Sequence, residues 1–320
     1  MKRLVETLVV GAMFVVIVAM ALLGAGIAQA EPVQQFSFQV TGSHPEDLTV
    51  RLHLRRFDTT GAVPPTPTAF ELRLPAGVRL NPAFLTARYR CDGGALRSAL
   101  DARPTGVPFD VRLAHLGVFA RELARSHAKR DHVALVNVRT CMRARLGSGT
   151  GLVDARAAVS VLTDPVPFRF SLFLSAGTIP GAVAGLAALG AADPRSAIVH
   201  RYPVVAGVHA LERENFLSDP SPDGLYGLKL AIYTGPINGF HVSRAQVDAT
   251  VHTLTIRRGT CLARGRGGRC VRRQRADASL FTLPSCSASK HYSVQLFAAY
   301  PRPTPSATTT SEVPCPGYMR

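Results

Sequence analysis

The chain has 320 residues, of which 47% are hydrophobic and 18% charged, and its formal net charge is +16 at pH 7. This apolar fraction supplies a core and excludes an intrinsically disordered chain. The cationic excess favours anionic partners such as cell-wall polymers, phospholipid headgroups or extracellular DNA. Lysine occurs only at Lys2, Lys129, Lys229 and Lys290, and such an arginine skew also accompanies a GC-rich genome.

Lys2 and Arg3 precede an uncharged run from Leu8 to Ala28, which Ala28-Gln29-Ala30 closes. A positive start, an apolar stretch and small residues at its end predict a secretory signal over residues 1–30. The run is about as long as the roughly 20 residues that span a bilayer. Two outcomes therefore stay open: cleavage before Glu31, or retention as an N-terminal anchor. The small residues before Glu31 and the helix-stopping Pro32 favour cleavage.

The rest predicts a mainly β protein. Phe36, Phe38 and Val40 alternate with polar residues, as do Leu48 to Leu54, and Phe70, Leu72 and Leu74. Period two marks half-buried strands. Between Cys91 and Cys141 the period changes: Leu113, Leu116, Ala120 and Leu123 predict one amphipathic helix over about 112–130. Strands are expected again at 133–139 and 152–162. Past Asp164-Pro165, Val166 to Leu174 alternate cleanly, 179–192 reads equally as a small-residue strand or a helical turn, and 198–208 reads as a strand. Asp219 to Gly224 reads as a loop. Tyr226 to Ile232, Val247 to Val251, 278–283 and 292–298 complete the strands, and Arg302 to Glu312 reads as an exposed loop. Short alternating strands predict antiparallel sandwiches, with one domain over 31–163, which carries the helical insertion, and a second over 164–320. One elaborated sandwich is the alternative.

Six cysteines in an exported chain are expected to pair. Proximity along the chain suggests Cys91–Cys141, Cys261–Cys270 and Cys286–Cys315. The absence of C-x-x-C argues against a zinc knuckle and a thioredoxin-like site.

Leu74-Pro75-Ala76-Gly77-Val78, Asn81-Pro82, Cys91 and the run Cys141 to Thr150 appear in that order. Together they resemble a group of exported β-sandwich proteins of high-GC actinobacteria to which no reaction is assigned. Met142 stands where that group has proline. The resemblance implies export and a β fold, and no chemistry.

Several residues invite a chemical reading. Gly147-Ser148-Gly149-Thr150-Gly151 lacks the lysine and following helix of a phosphate loop and reads as a tight turn. His127 and Asp131 would share a helical face next to His132, one ligand short of a closed metal site. His241 and His252 flank Asp248 with Ser243 nearby, but no Gly-x-Ser-x-Gly frames a nucleophile. Asp219 and Asp223 offer too few oxygens for calcium. The chain has no Trp, and Tyr226 and Tyr292 sit in core-like patterns, which disfavours sugar stacking.

The most unusual feature is Arg257, Arg258, Arg264, Arg266, Arg269, Arg272, Arg273 and Arg275, with no acid between Thr255 and Ala276. Cys261 and Cys270 would close an eight-residue loop, 262–269, inside this cluster. Guanidinium forks chelate phosphate in bidentate fashion, and the absence of interleaved aromatics argues against nucleic-acid readout. The expectation is an exported, secreted or cell-surface protein without cofactor or catalysis. It would hold anionic cell-wall or membrane polymers through this loop. The alternative is a secreted hydrolase or carbohydrate-binding domain whose site only the fold assembles.

Overall fold

Eleven strands pair antiparallel into one sheet whose two ends come together. The computed structural model describes residues 31–320 except 45–47, 62–63, 103–106, 155–161, 163, 203–208, 219–222, 233–242, 253, 287 and 317–320. At 243–245, 254–260, 262 and 272–277 it describes the backbone alone. The expected export signal lies outside the described residues.

The first strands are β1 (Pro32–Thr41), β2 (Thr49–Asp58), β3 (Ala69–Pro75) and the short β4 (Arg79–Leu80). After a helical segment come β5 (Arg145–Asp154), β6 (Val166–Ser175), β7 (Ala182–Ala192), β8 (His209–Ser218), β9 (Tyr226–Ile232) and β10 (Ser243–Val251). The chain ends with β11 (Leu254–Arg264), β12 (Cys270–Ala278), β13 (Phe281–Thr282), β14 (His291–Ala299) and β15 (Ala307–Pro314). The order in the large sheet is β1-β2-β10-β5-β6-β7-β8-β9-β3-β14-β15. At the seam, the Phe38 amide donates to Ser311 Oγ at 3.3 Å, and the Thr309 hydroxyl donates to the Gln34 carbonyl at 3.3 Å.

The mainly β expectation holds, and the division at 163 does not. Position 163 falls between β5 and β6, which are paired neighbours. Strands from both halves interleave, because β3 pairs β9 and β14 while β10 pairs β2 and β5. Residues from Pro32 onward form one compact unit.

Alternation then sorts side chains into an inner and an outer set. Phe38, Leu52, Leu54, Phe70, Leu72, Phe168, Phe170, Leu172, Val247 and Leu296 face inward. The glycines of β5 belong to this inner face. Gly149 pairs with Phe170, which pairs with Gly190. A Cβ on Gly149 would lie 2.4 Å from Phe170 Cζ and 2.3 Å from the Asp248 carbonyl oxygen. One aromatic ring thus lies across two strands that have no side chain beneath it. The Gly147 to Gly151 run is strand, which excludes both the phosphate loop and the tight turn.

The helical segment holds four helices where one was expected: α1 (Gly93–Asp101), α2 (Phe109–Ala114), α3 (Leu116–Arg125) and α4 (Lys129–Ala144). The strand expected at 133–139 is part of α4. Leu135, Val138 and Cys141 are buried at helical spacing, whereas Val133 and Val136 are exposed. The segment packs on the outer faces of β6, β7 and β8. A Cβ on Gly93 would come within 2.9 Å of Leu211 Cδ1 and 3.2 Å of the Ala187 methyl, so only glycine lets α1 approach this far. Cys91–Cys141 ties the start of the segment to α4. It closes a loop of 50 residues, a constraint of about 4 kcal/mol on chain-entropy grounds.

The small-residue stretch is β7, and the loop expected at 302–312 carries β15. The strand expected at 198–208 begins instead as a short helix, α5 (Ala197–Arg201), and 203–208 lies outside the described residues. Val199 of α5 packs with Phe168, Ala192 and Ala210 at one end of the sheet. Leu280 and Phe281 line the interior from the segment after β12, with Phe281 edge-on to Phe216 at 5.9 Å.

Gly149→Ala is expected to cost about 3 kcal/mol, the upper part of the overpacking range. Gly61→Ala, at φ 86° with open space around it, should cost only about 1 kcal/mol of left-handed backbone strain. Urea midpoints of the two variants check this; equal losses would contradict the packing described.

Candidate functional site

The arginine cluster lies on a hairpin. β11 and β12 pair with each other and neither belongs to the eleven-stranded sheet. Pairing runs from Leu254 with Ala278 to Arg264 with Cys270. The expected eight-residue loop is therefore mostly strand, and the turn is only Gly265 to Arg269. Its short helical turn, Arg266–Gly268, needs positive φ at Gly267 (77°) and Gly268 (74°), which glycine adopts without strain. The Gly265 amide donates to the Arg269 carbonyl at 2.8 Å. Cys261–Cys270 staples the base of the turn with a Cα separation of 5.7 Å. Arg264, Arg266 and Arg269 are exposed around this tip. The backbone places Arg257 and Arg258 on β11 and Arg272, Arg273 and Arg275 on β12. What this offers chemically is a stiff, cation-bearing finger.

The predicted acid and base residues are placed differently. His241 lies outside the described residues, as does the Ser243 side chain. His252 is exposed, and its amide donates to the Leu146 carbonyl at 2.8 Å. The partner of Asp248 is His53, one strand over on β2: His53 Nδ1 lies 2.5 Å from Asp248 Oδ1. Gln246 Nε2 donates to the other carboxylate oxygen at 2.8 Å. The register also sets Ser37 beside His53 and Thr150 beside Asp248. These four side chains thus form a row across the outer sheet face, in a shallow groove of about 360 Å³.

Ser, His and Asp in one row resemble a hydrolytic constellation, with Asp248 bonded to His53 and to Gln246. Among the described residues no hydroxyl is hydrogen-bonded to His53. The adjoining strands β2, β10 and β5 are paired on both sides. At the level of Asp248 the ladders pair it with His53 on one side and Thr150 on the other. Burial pushes the Asp248 carboxyl up, while hydrogen bonds from Gln246 and His53 and the His53 charge together outweigh it. The net effect holds this carboxyl below its ordinary range.

Asp131 is buried near the start of α4, where the Ser126 hydroxyl donates to Oδ2. A carboxylate there suits the positive end of the helix dipole. Its neighbours His127 and His132 are exposed, and the described residues hold no group of three metal-ligating side chains. Asp223 accepts from the Leu225 amide at 3.0 Å within a turn, and Asp219 lies outside the described residues. Tyr226 and Tyr292 are buried. All three expected disulfides are present: Cys91–Cys141, Cys261–Cys270 and Cys286–Cys315. They accord with an oxidising, extracytoplasmic compartment.

One feature escaped the sequence altogether. The nearly closed sheet encloses an apolar cavity of about 180 Å³. Glu212 and Glu214 of β8 are on its wall. Comparison with known protein families, curated proteins and solved structures finds no match.

The Asp248 carboxyl is depressed in the folded state, so folding favours its charged form. Its contribution is complete above the unfolded value of about 3.9 and is lost as pH falls through the lower folded value. The pair is two-fifths exposed, so its worth is that of a surface ion pair, about 0.2–1 kcal/mol. Asp248→Asn should therefore lower stability at pH 6 and converge on the parent chain in strong acid. Urea unfolding at several pH values checks this; a constant difference would contradict it.

Proposed function

We propose that the protein acts without catalysis outside the cytoplasm, secreted or at the cell surface. There it attaches to anionic cell-wall or membrane polymers through the β11–β12 hairpin. The observation that supports this most is the stapled tip, where Arg264, Arg266 and Arg269 are exposed beyond the sheet. A disulfide next to the turn fixes the cations before contact, so less ordering entropy is lost on binding. Guanidinium groups suit phosphate and carboxylate oxygens because their donors form a planar fork. Attachment by such a finger depends on ionic strength, since exposed charges are screened over about 8 Å at physiological salt.

The alternative, a secreted hydrolase or carbohydrate-binding domain, draws little from the geometry. Among the described residues no hydroxyl is bonded to His53 in the His53–Asp248 groove, and the buried Tyr89, Tyr226, Tyr292 and Tyr300 offer no flat platform for sugar rings.

Changing Arg264, Arg266 and Arg269 together to Gln should weaken retention on phosphatidylglycerol vesicles or teichoic-acid beads and flatten its salt dependence. Changing the exposed Arg121, Arg125 and Arg143 of α3 and α4 to Gln removes the same net charge elsewhere. It should leave most of the retention intact. Equal losses in the two triple variants would mean that net charge alone, and not the finger, carries the attachment.

A further inference from the structure

The interior of the sheet holds space that the chain does not fill. Leu52, Phe170, Ala188, Ile232, Val247 and Ala249 line it, yet each is only partly buried. At the centre of a filled barrel they would be fully buried, because protein interiors pack to crystal-like density. The space is about 180 Å³. An apolar cavity of ~150 Å³ stays dry and takes up benzene, so this one has room for one or two aromatic rings or a short hydrocarbon chain.

The wall decides what kind of guest fits. Its polar side chains among the described residues are Glu212, Glu214 and Gln246. Both glutamates already have partners within the protein, so neither is a free acceptor for a guest. Gln246 donates through Nε2 to Asp248 on the outer face at 2.8 Å. The rest of the wall is apolar. A charged group that entered would lose its water with little to replace it, whatever its sign. A hydrocarbon has no such loss, and it restores the dispersion contacts that the lining side chains lack on their open side.

We infer that the interior of the sheet is a binding site for a small uncharged hydrocarbon, aromatic or aliphatic, held by burial alone against Phe170, Ala188 and Ala249. Charged molecules of the same size are rejected, anions and cations alike. This site is separate from the arginine hairpin and does not rest on the attachment proposed for it.

With no tryptophan in the chain, naphthyl emission is not masked by indole. The chain from Pro32 is titrated with naphthalene and, separately, with 2-naphthoate and 2-naphthylmethylammonium, which add one charge of either sign to the same rings. Saturable one-to-one binding of naphthalene, at least ~10-fold tighter than of either ion, is the expected result. Naphthalene should also raise the urea midpoint, as a ligand that binds only the folded chain does. Ala188→Phe and, independently, Ala249→Leu fill the space and should each weaken naphthalene binding ~10-fold or more. If one filling variant does not fold, the other and the comparison of the three probes still decide. No saturable naphthalene binding, binding unchanged in a filling variant that folds, or either ion bound as tightly as naphthalene would overturn the inference.

Discussion

The contact between β1 and β15 determines what kind of molecule this is. If those edges stayed apart, the sheet would be open, with two exposed strand edges and an inner face in need of a second layer. Brought together, they leave an apolar interior and two sheet edges that face each other across a seam. The seam is held by side chain to backbone bonds, Ser311 to the Phe38 amide and Thr309 to the Gln34 carbonyl. It is not a full ladder, which is why the sheet is nearly and not fully closed. Serine and threonine fit this place because a hydroxyl can satisfy an edge amide or carbonyl that no ladder partner reaches.

The rest follows from that enclosure. A closed sheet must curve, and β5 curves where its inner positions are glycine. Phe170 fills the space they leave, with Gly149 on one side and Gly190 on the other. The outer face of β6 and β7 carries Phe173 and Leu189, both wholly buried. It needs the helical layer, which the Cys91–Cys141 bond keeps in place. The hairpin owes its independence to the same geometry. β10 is already paired on both sides, so the chain beyond Val251 pairs with itself and leaves the sheet.

Strands with one apolar and one polar face were legible in the sequence: β1, β2, β3, β6, β9, β10 and β14 all show period two. β8 was not, because Glu212 and Glu214 occupy inward positions and Arg213 an outward one, so no alternation of polarity remains. The exception to the pattern is the stretch that gives the cavity its carboxylates. β15 was hidden by its threonines, which read as a loop although β-branched residues favour strands. α4 was misread because Val133 and Val136 carry strand propensity on a solvent face, while its buried stripe is short. Disulfide pairing was legible from proximity. The division at 163 was not, because nothing local reveals that β3 pairs with strands more than 150 residues later. The His53–Asp248 pair was hidden by the same long-range pairing.

The result is an arginine-bearing hairpin outside the large sheet and an apolar space inside it. The enclosed space depends on the seam. The Phe38 amide faces away from β2 and donates across the seam to Ser311. Amide hydrogen exchange at Phe38 is the most direct test. Protection of this amide in the parent chain, lost in Ser311→Ala while the Leu54 and Leu72 amides stay protected, is the predicted result. A Phe38 amide that exchanges at the unprotected rate in the parent chain would show an open sheet and contradict the account.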